Sequence, residues 1–197
     1  MSTDSAIIRR SLDDPSAFAE LFDRHAAGVG RFAARRVGGE AAQDVLSETF
    51  LVAFRRRGAF DHAWESAVPW LLGIASRLIK KHRADEARQW RSITASVGAA
   101  GSWHDGELSR ADERTDAAAA LGQLARHIDA LPTRDRETLL LYAWGDLTYE
   151  EIAVALNVPV GTVRSRLNRV RKRLGAAGAA EGIGREEGRD GRVQQSA

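Results

Sequence analysis

The stretch "GTVRSRLNRVRKRL", residues 161–174, carries six basic residues and no acidic one, yet keeps an apolar stripe. At about 100° of rotation per residue, Val163, Leu167, Val170 and Leu174 fall on one side of a helix. Arg164, Ser165, Asn168, Arg169 and Lys172 point the other way, and Arg166, Arg171 and Arg173 flank the stripe. Arg pairs bidentately with guanine and Asn with adenine in the major groove, while flanking cations hold phosphates. Taken alone, the helix also fits a solvated cationic face, a calmodulin-like target or a membrane-surface helix.

The residues upstream decide between these readings. In "LTYEEIAVALNVPVGTVRSRL", Thr148 with Glu151 is a capping box that starts a helix. Ile152 and Leu156 form its apolar side, small Ala153 and Ala155 allow close approach, and Asn157, Val158 and Pro159 break it. A short helix, a tight turn and a basic amphipathic helix make a helix-turn-helix, a DNA-reading unit. Gly161 and Thr162 keep the second helix small where it approaches the duplex.

Composition narrows the class. The chain has 197 residues, enough for one large or two small domains, and 28% charged residues with a net charge of only +2. The basic residues are therefore clustered rather than general. With no cysteine, disulfides, thiol nucleophiles and Cys-based metal sites are excluded. The five histidines (25, 62, 82, 104 and 127) are scattered away from metal-ligand spacing. Neither a phosphate-binding glycine loop nor a nucleophile elbow appears. We expect no enzyme activity, no cofactor and no metal. With no apolar run of about 18 residues and no signal-peptide layout, no membrane insertion is expected and the location reads as cytoplasmic.

The elements that would position the basic helix are helical throughout. Residues 1–12 read as a flexible leader. Asp14 and Pro15 open a helix carrying Phe18, Leu21, Phe22, His25 and Val29, which Gly38 and Gly39 stop; Asp13 and Asp14 read as a cap rather than an acid/base pair. "EAAQDVLSETFLVAFRRR" is a second helix, apolar along Ala42, Val45, Leu46, Thr49, Phe50 and Phe54 and acidic-polar along Gln43, Asp44, Ser47 and Glu48. "GAFDHAWESA" is a loop. "VPWLLGIASRLIKKHRADEARQW" is a third helix, with Trp70, Leu71, Ile74 and Leu78 inward and Arg77, Lys80, Lys81, Arg83 and Arg88 on a basic side. Residues 92–114 read as a Gly/Ser-rich linker with a stray Trp103. Helical periodicity returns over 115–131, and "LPTRDRETLLLYAWG" adds a helix in which Trp144, like Trp70, is expected in the core. Residues 176–197 hold few large apolar side chains and read as disordered. The fold class is all-α: two small helical domains, 13–91 and 115–175, on a flexible linker, the second with the helix-turn-helix.

Together these residues resemble the extracytoplasmic-function group of the bacterial sigma-70 family. "LPTRDRETLLLYAWGDLTYEEIAVALNVPVGTVRSRLNRVRKRL" is similar to region 4, and "FAELFDRH", "AAQDVLSETFLVAFRR" and "VPWLLGIASRLIKKHRA" to region 2. The resemblance implies a factor that binds core RNA polymerase and directs it to promoters. Region 2 then meets the β′ clamp and opens the minus-10 element; region 4 reads the minus-35 element and sits on the β flap. Gln43, Asp44, Ser47, Glu48 and Phe50 match the clamp-binding part. The loop from Gly58 to Ser66 matches the one that captures a flipped base, with Phe60, His62 and Trp64 as candidate contacts and Arg77, Lys80 and Lys81 beside it for phosphates. Thr162, Arg164, Ser165, Arg166, Asn168, Arg169 and Lys172 match the minus-35 surface. Promoter DNA and core polymerase are the implied partners, and an anti-sigma factor is a further candidate. The chain departs from the family at "IASRL", where Ser76 and Arg77 take positions that are often Arg and Asn. The alternative reading is a free-standing helix-turn-helix regulator with a helical N-terminal domain. Such a protein binds its operator unaided, as a dimer, and has no need of the acidic face.

Overall fold

The computed structural model describes residues 2–97 and 116–180. The described residues hold eight α-helices and no strand: α1 Asp4–Asp13, α2 Ala19–Val37, α3 Gly39–Arg55, α4 Val68–Val97, α5 Asp116–Asp129, α6 Thr133–Gly145, α7 Tyr149–Leu156 and α8 Val160–Ala180. Short 3-10 turns at Pro15–Phe18 and Arg57–Ala59 complete the order.

Caps explain most boundaries. Asp14 accepts from the Ser16 N–H and begins the turn into α2; hydrogen bonds from Ser16 hold its carboxyl below the ordinary carboxylate value. Gly38, at φ 81°, separates α2 from α3 in a conformation that suits glycine. Asp146 and Asn157 take left-handed backbone after α6 and α7, which their short polar side chains tolerate.

Helices α2, α3 and α4 enclose Leu21, Val29, Phe32, Val45, Leu71, Ile74 and Ile79. Helices α6, α7 and α8 pack around Leu141, Ile152, Val163 and Leu167. Both groups belong to one continuous core, because α7 lies along α4. At that seam a Cβ on Gly73 would overlap the Ala155 carbonyl oxygen and lie 3.0 Å from its Cα, so glycine permits the approach. Arg36, with 1% of its side chain exposed, pairs with Glu137 across the same seam.

Three boundaries differ from the sequence reading. The expected leader is largely helix α1, capped by Thr3, with Ile7 and Ile8 fully buried. Helix α4 runs on to Val97, into the expected linker, and α8 runs on to Ala180, into the expected tail. The remaining linker and tail expectations, Trp103 included, lie outside the described residues. Trp70 packs against the core as expected, but Trp144 is 37% exposed, because it lies at an open cleft beside Gly28, Phe32 and Leu72 rather than inside the core.

Candidate nucleic-acid interface

The helix-turn-helix begins where the capping box places it. Thr148 accepts from the Glu151 N–H at 3.2 Å, and Glu151 accepts from the Thr148 N–H at 2.8 Å. Asn157 turns the chain, and Pro159 caps α8 by accepting from the Thr162 N–H at 2.8 Å. Val163, Leu167 and Val170 are buried at 0%, 3% and 2% exposure, which fixes the rotation of α8. Arg164, Ser165, Asn168, Arg169 and Lys172 are consequently exposed, and Thr162 and Arg166 half-buried.

The outward residues are not equivalent. Arg169 donates through Nη2 and Nε to the buried Asp135 carboxylate at 3.0 and 3.3 Å, and this bonding raises its pKa. Arg166 leans toward Thr138 Oγ1 at 3.5 Å, and Arg171 donates to the Tyr149 hydroxyl at 2.8 Å. These three cations tie α8 to α6 and α7. Arg164, Asn168 and Lys172 have no side-chain hydrogen bond or ion pair with other described residues, so their polar groups are available to a ligand.

A second surface lies in the first helical group. The loop after α3 and the start of α4 enclose a cleft of about 440 Å³, lined by Arg56, Phe60, Asp61, Trp64, Trp70 and Arg77 and reached by Val154 of α7 and by its C-cap Asn157. Partial shelter from solvent, and then repulsion from Arg56, lower the pKa of Arg77; the cleft therefore holds two close cations. Aromatic walls beside cations suit an unstacked base and its phosphate. Of the three loop aromatics expected to contact a base, Phe60 and Trp64 line this cleft and His62 does not. Phe60 is 7% exposed and edge-on to His62 and Trp70 at 5.4 and 5.2 Å, so it forms the floor of the cleft and also belongs to the core. Arg56 and Trp70 line the cleft as well but were not sequence candidates for it: Arg56 was hidden in a run of three arginines, and Trp70 was expected in the core.

Lys80 and Lys81 are exposed on α4, and Lys80 lines a second cleft between α4 and α6–α7 together with Arg77 and Ser76. Ser76 is 4% exposed and accepts from Arg36 at 3.4 Å. The "IASRL" departure thus places a small side chain under the seam.

On α3, Gln43, Asp44, Ser47 and Glu48 form a contiguous exposed face. Phe50 does not belong to it. Its ring is 5% exposed because it packs edge-on against Phe22 at 4.8 Å. The exposed apolar residues on these helices are Phe22 and Leu51, at 43% and 46%, positions the apolar pattern alone had assigned to the interior or passed over. No group among the described residues has the ligands for a metal ion, and no described helix is long and apolar enough to cross a membrane.

Both helical groups match known protein families. Residues 21–89 match the family description "Sigma-70 region 2", and residues 121–174 match "Sigma-70, region 4". The chain is 31% identical over 180 residues to the ECF RNA polymerase sigma-E factor of Escherichia coli strain K12, covering 87% of this chain and 92% of that one. It is 37% identical over 133 residues to the RNA polymerase sigma factor HrpL of Pseudomonas syringae pv. syringae, covering 66% and 70%. A solved structure of CnrH in complex with the cytosolic domain of CnrY shares the fold, with a TM-score of 0.61 at 22% identity, covering 90% of this chain and 98% of that one. The chain belongs to the ECF sigma factors of the sigma-70 family. It is a promoter-specific transcription initiation factor and not an enzyme, and the free-standing regulator is not favoured.

Proposed function

We propose that this factor docks on the β′ clamp and β flap of core RNA polymerase in the cytoplasm and recognises a two-part promoter. Arg164, Asn168 and Lys172, with Thr162 and Ser165, contact the minus-35 element; Arg166 and Arg169 brace the helix and add charge toward phosphates. Trp64, with Trp70, Arg56 and Arg77 around it, receives a minus-10 base, and Lys80 and Lys81 follow the strand. His62 borders this site rather than walling it. Gln43, Asp44, Ser47 and Glu48, with Phe22 and Leu51 exposed beside them, meet the clamp. In this reading region 2 extends back to α1, region 4 spans 115–175, and residues 92–114 link them. The observation that carries the reading is the pairing of Arg164, Asn168 and Lys172 on α8, unpartnered among the described residues, with an aromatic, cationic cleft below α3. An anti-sigma factor is included as a partner because CnrH, which shares the fold, was solved with a second protein on it.

Separation of function tests the assignment. Arg164→Ala should weaken minus-35 duplex binding by about 1–3 kcal/mol and leave core affinity unchanged. Asp44→Lys should do the reverse. Equal loss of both activities in either variant would break the assignment.

A further inference from the structure

Asp4 is a buried carboxylate that neither DNA surface nor polymerase face uses. It is 4% exposed, yet it accepts three hydrogen bonds: from Arg24 Nη1 at 2.6 Å, from the His25 ring at 2.7 Å and from the Ala67 N–H at 2.9 Å. The next residue, Ser5, binds the same loop. Its N–H donates to the Glu65 carbonyl at 3.2 Å, and its hydroxyl lies 3.0 Å from His62 Nδ1 and 3.4 Å from the His62 carbonyl. Two adjacent residues at the start of α1 thus grip the loop at His62, Glu65 and Ala67.

The loop's own bonds are short-range. Asp61 accepts from the Ala63 N–H at 3.0 Å through its side chain and from the Trp64 N–H at 3.1 Å through its carbonyl, and Ser66 Oγ accepts from the Val68 N–H at 3.2 Å. Such bonds shape a turn but do not aim it. Its direction relative to the cleft is set by the Phe60–His62 contact and by α1. Helix α1 is itself fixed: Ile7 and Ile8 are fully buried, and Arg57 Nε donates to the Ser11 carbonyl at 3.1 Å.

We propose that Asp4 and Ser5 are positioning residues that aim the 61–67 loop, and Trp64 with it, for capture of the minus-10 base. This rests on the reading of that loop given above. A loop already ordered in its binding geometry avoids the entropic cost of ordering on contact, and burial makes each lost hydrogen bond costly.

The test uses the full chain with core polymerase on a promoter fork carrying 2-aminopurine at the flipped position. Fluorescence reports base extrusion, while core affinity and thermal midpoint report folding. Ser5→Ala should lower base extrusion about fivefold, the worth of one hydrogen bond, with core affinity and midpoint unchanged. Ser5→Thr, which keeps a hydroxyl, should restore it, and Asp4→Asn should impair it with core affinity unchanged, although its midpoint falls because Arg24 and His25 lose a charged partner. Trp64→Ala is the control for the underlying reading. If Trp64→Ala extrudes the base normally, the loop is not the base-capturing element and the proposal falls with that reading. If Trp64→Ala fails but Ser5→Ala and Asp4→Asn are normal, the loop reading stands and the positioning role is wrong. Parallel loss of extrusion, core affinity and midpoint would make the role merely structural and overturn the proposal as well.

Discussion

At Arg36 a single side chain joins the two helical groups. Burial lowers its pKa, and Glu137 pulls it back. A buried ion pair contributes little net stability over an apolar pair, but losing one partner leaves the other charge stranded. Arg36→Ala should therefore destabilise the protein by about 3 kcal/mol, seen as a lower denaturation midpoint. Arg36→Met combined with Glu137→Leu should recover most of that loss. A double variant as unstable as Arg36→Ala would mean that the pair contributes through geometry no apolar replacement supplies. The same logic of partners sorts the cations of α8. Arg169 is engaged by Asp135, whereas Arg164 and Lys172 have no such tie among described residues. The sequence places Arg164 and Arg169 together as base readers and Lys172 among the phosphate contacts.

Among the elements, α7 depends on its cap. Thr148→Ala removes one half of the capping box and should cost about 1 kcal/mol; Thr148→Ser should cost far less. Equal midpoints for Thr148→Ala and the parent would show that tertiary packing on α4 alone holds the helix. This element was legible in the sequence because its start, turn and apolar stripe are all local signals. Thr148, Glu151, Asn157 and Pro159 lie within twelve residues, and the stripe at Val163, Leu167 and Val170 is buried as its spacing requires. Helix α1 was not legible. It offers only Ile7, Ile8 and Leu12 as large apolar residues, and its stability comes from partners dozens of positions away, such as Ala67 for Asp4. Phe50 and Phe60 are largely buried for a related reason. Sequence marks an aromatic near a functional face, but packing against Phe22 or Trp70 decides whether its ring is reachable.

For the molecule as a whole, the seam between α4 and α7 was invisible to periodicity. Gly73, Ser76 and Ala155 are small residues whose meaning appears only when both helices are placed together. The seam also has a consequence for the proposed DNA path. Val154 of α7 and its C-cap Asn157 border the cleft holding Trp64 and Arg77, so we expect a strand entering it to displace α7. Because the chain has no cysteine, Asp23→Cys with Glu150→Cys, both exposed, gives two unique labelling sites, one on each side. Energy transfer between the labels should be high in the free protein and fall when it joins core polymerase and promoter DNA; unchanged transfer would mean that the seam persists and the strand takes another route. The most direct measurement is transcription itself. The purified protein is added to bacterial core RNA polymerase with fragmented genomic DNA, and transcript 5′ ends are mapped. Discrete starts sharing two upstream elements, weakened by Arg164→Ala, are the expected result. Retained core binding with no discrete starts, or starts indifferent to Arg164→Ala, would contradict the promoter-reading role assigned to α8.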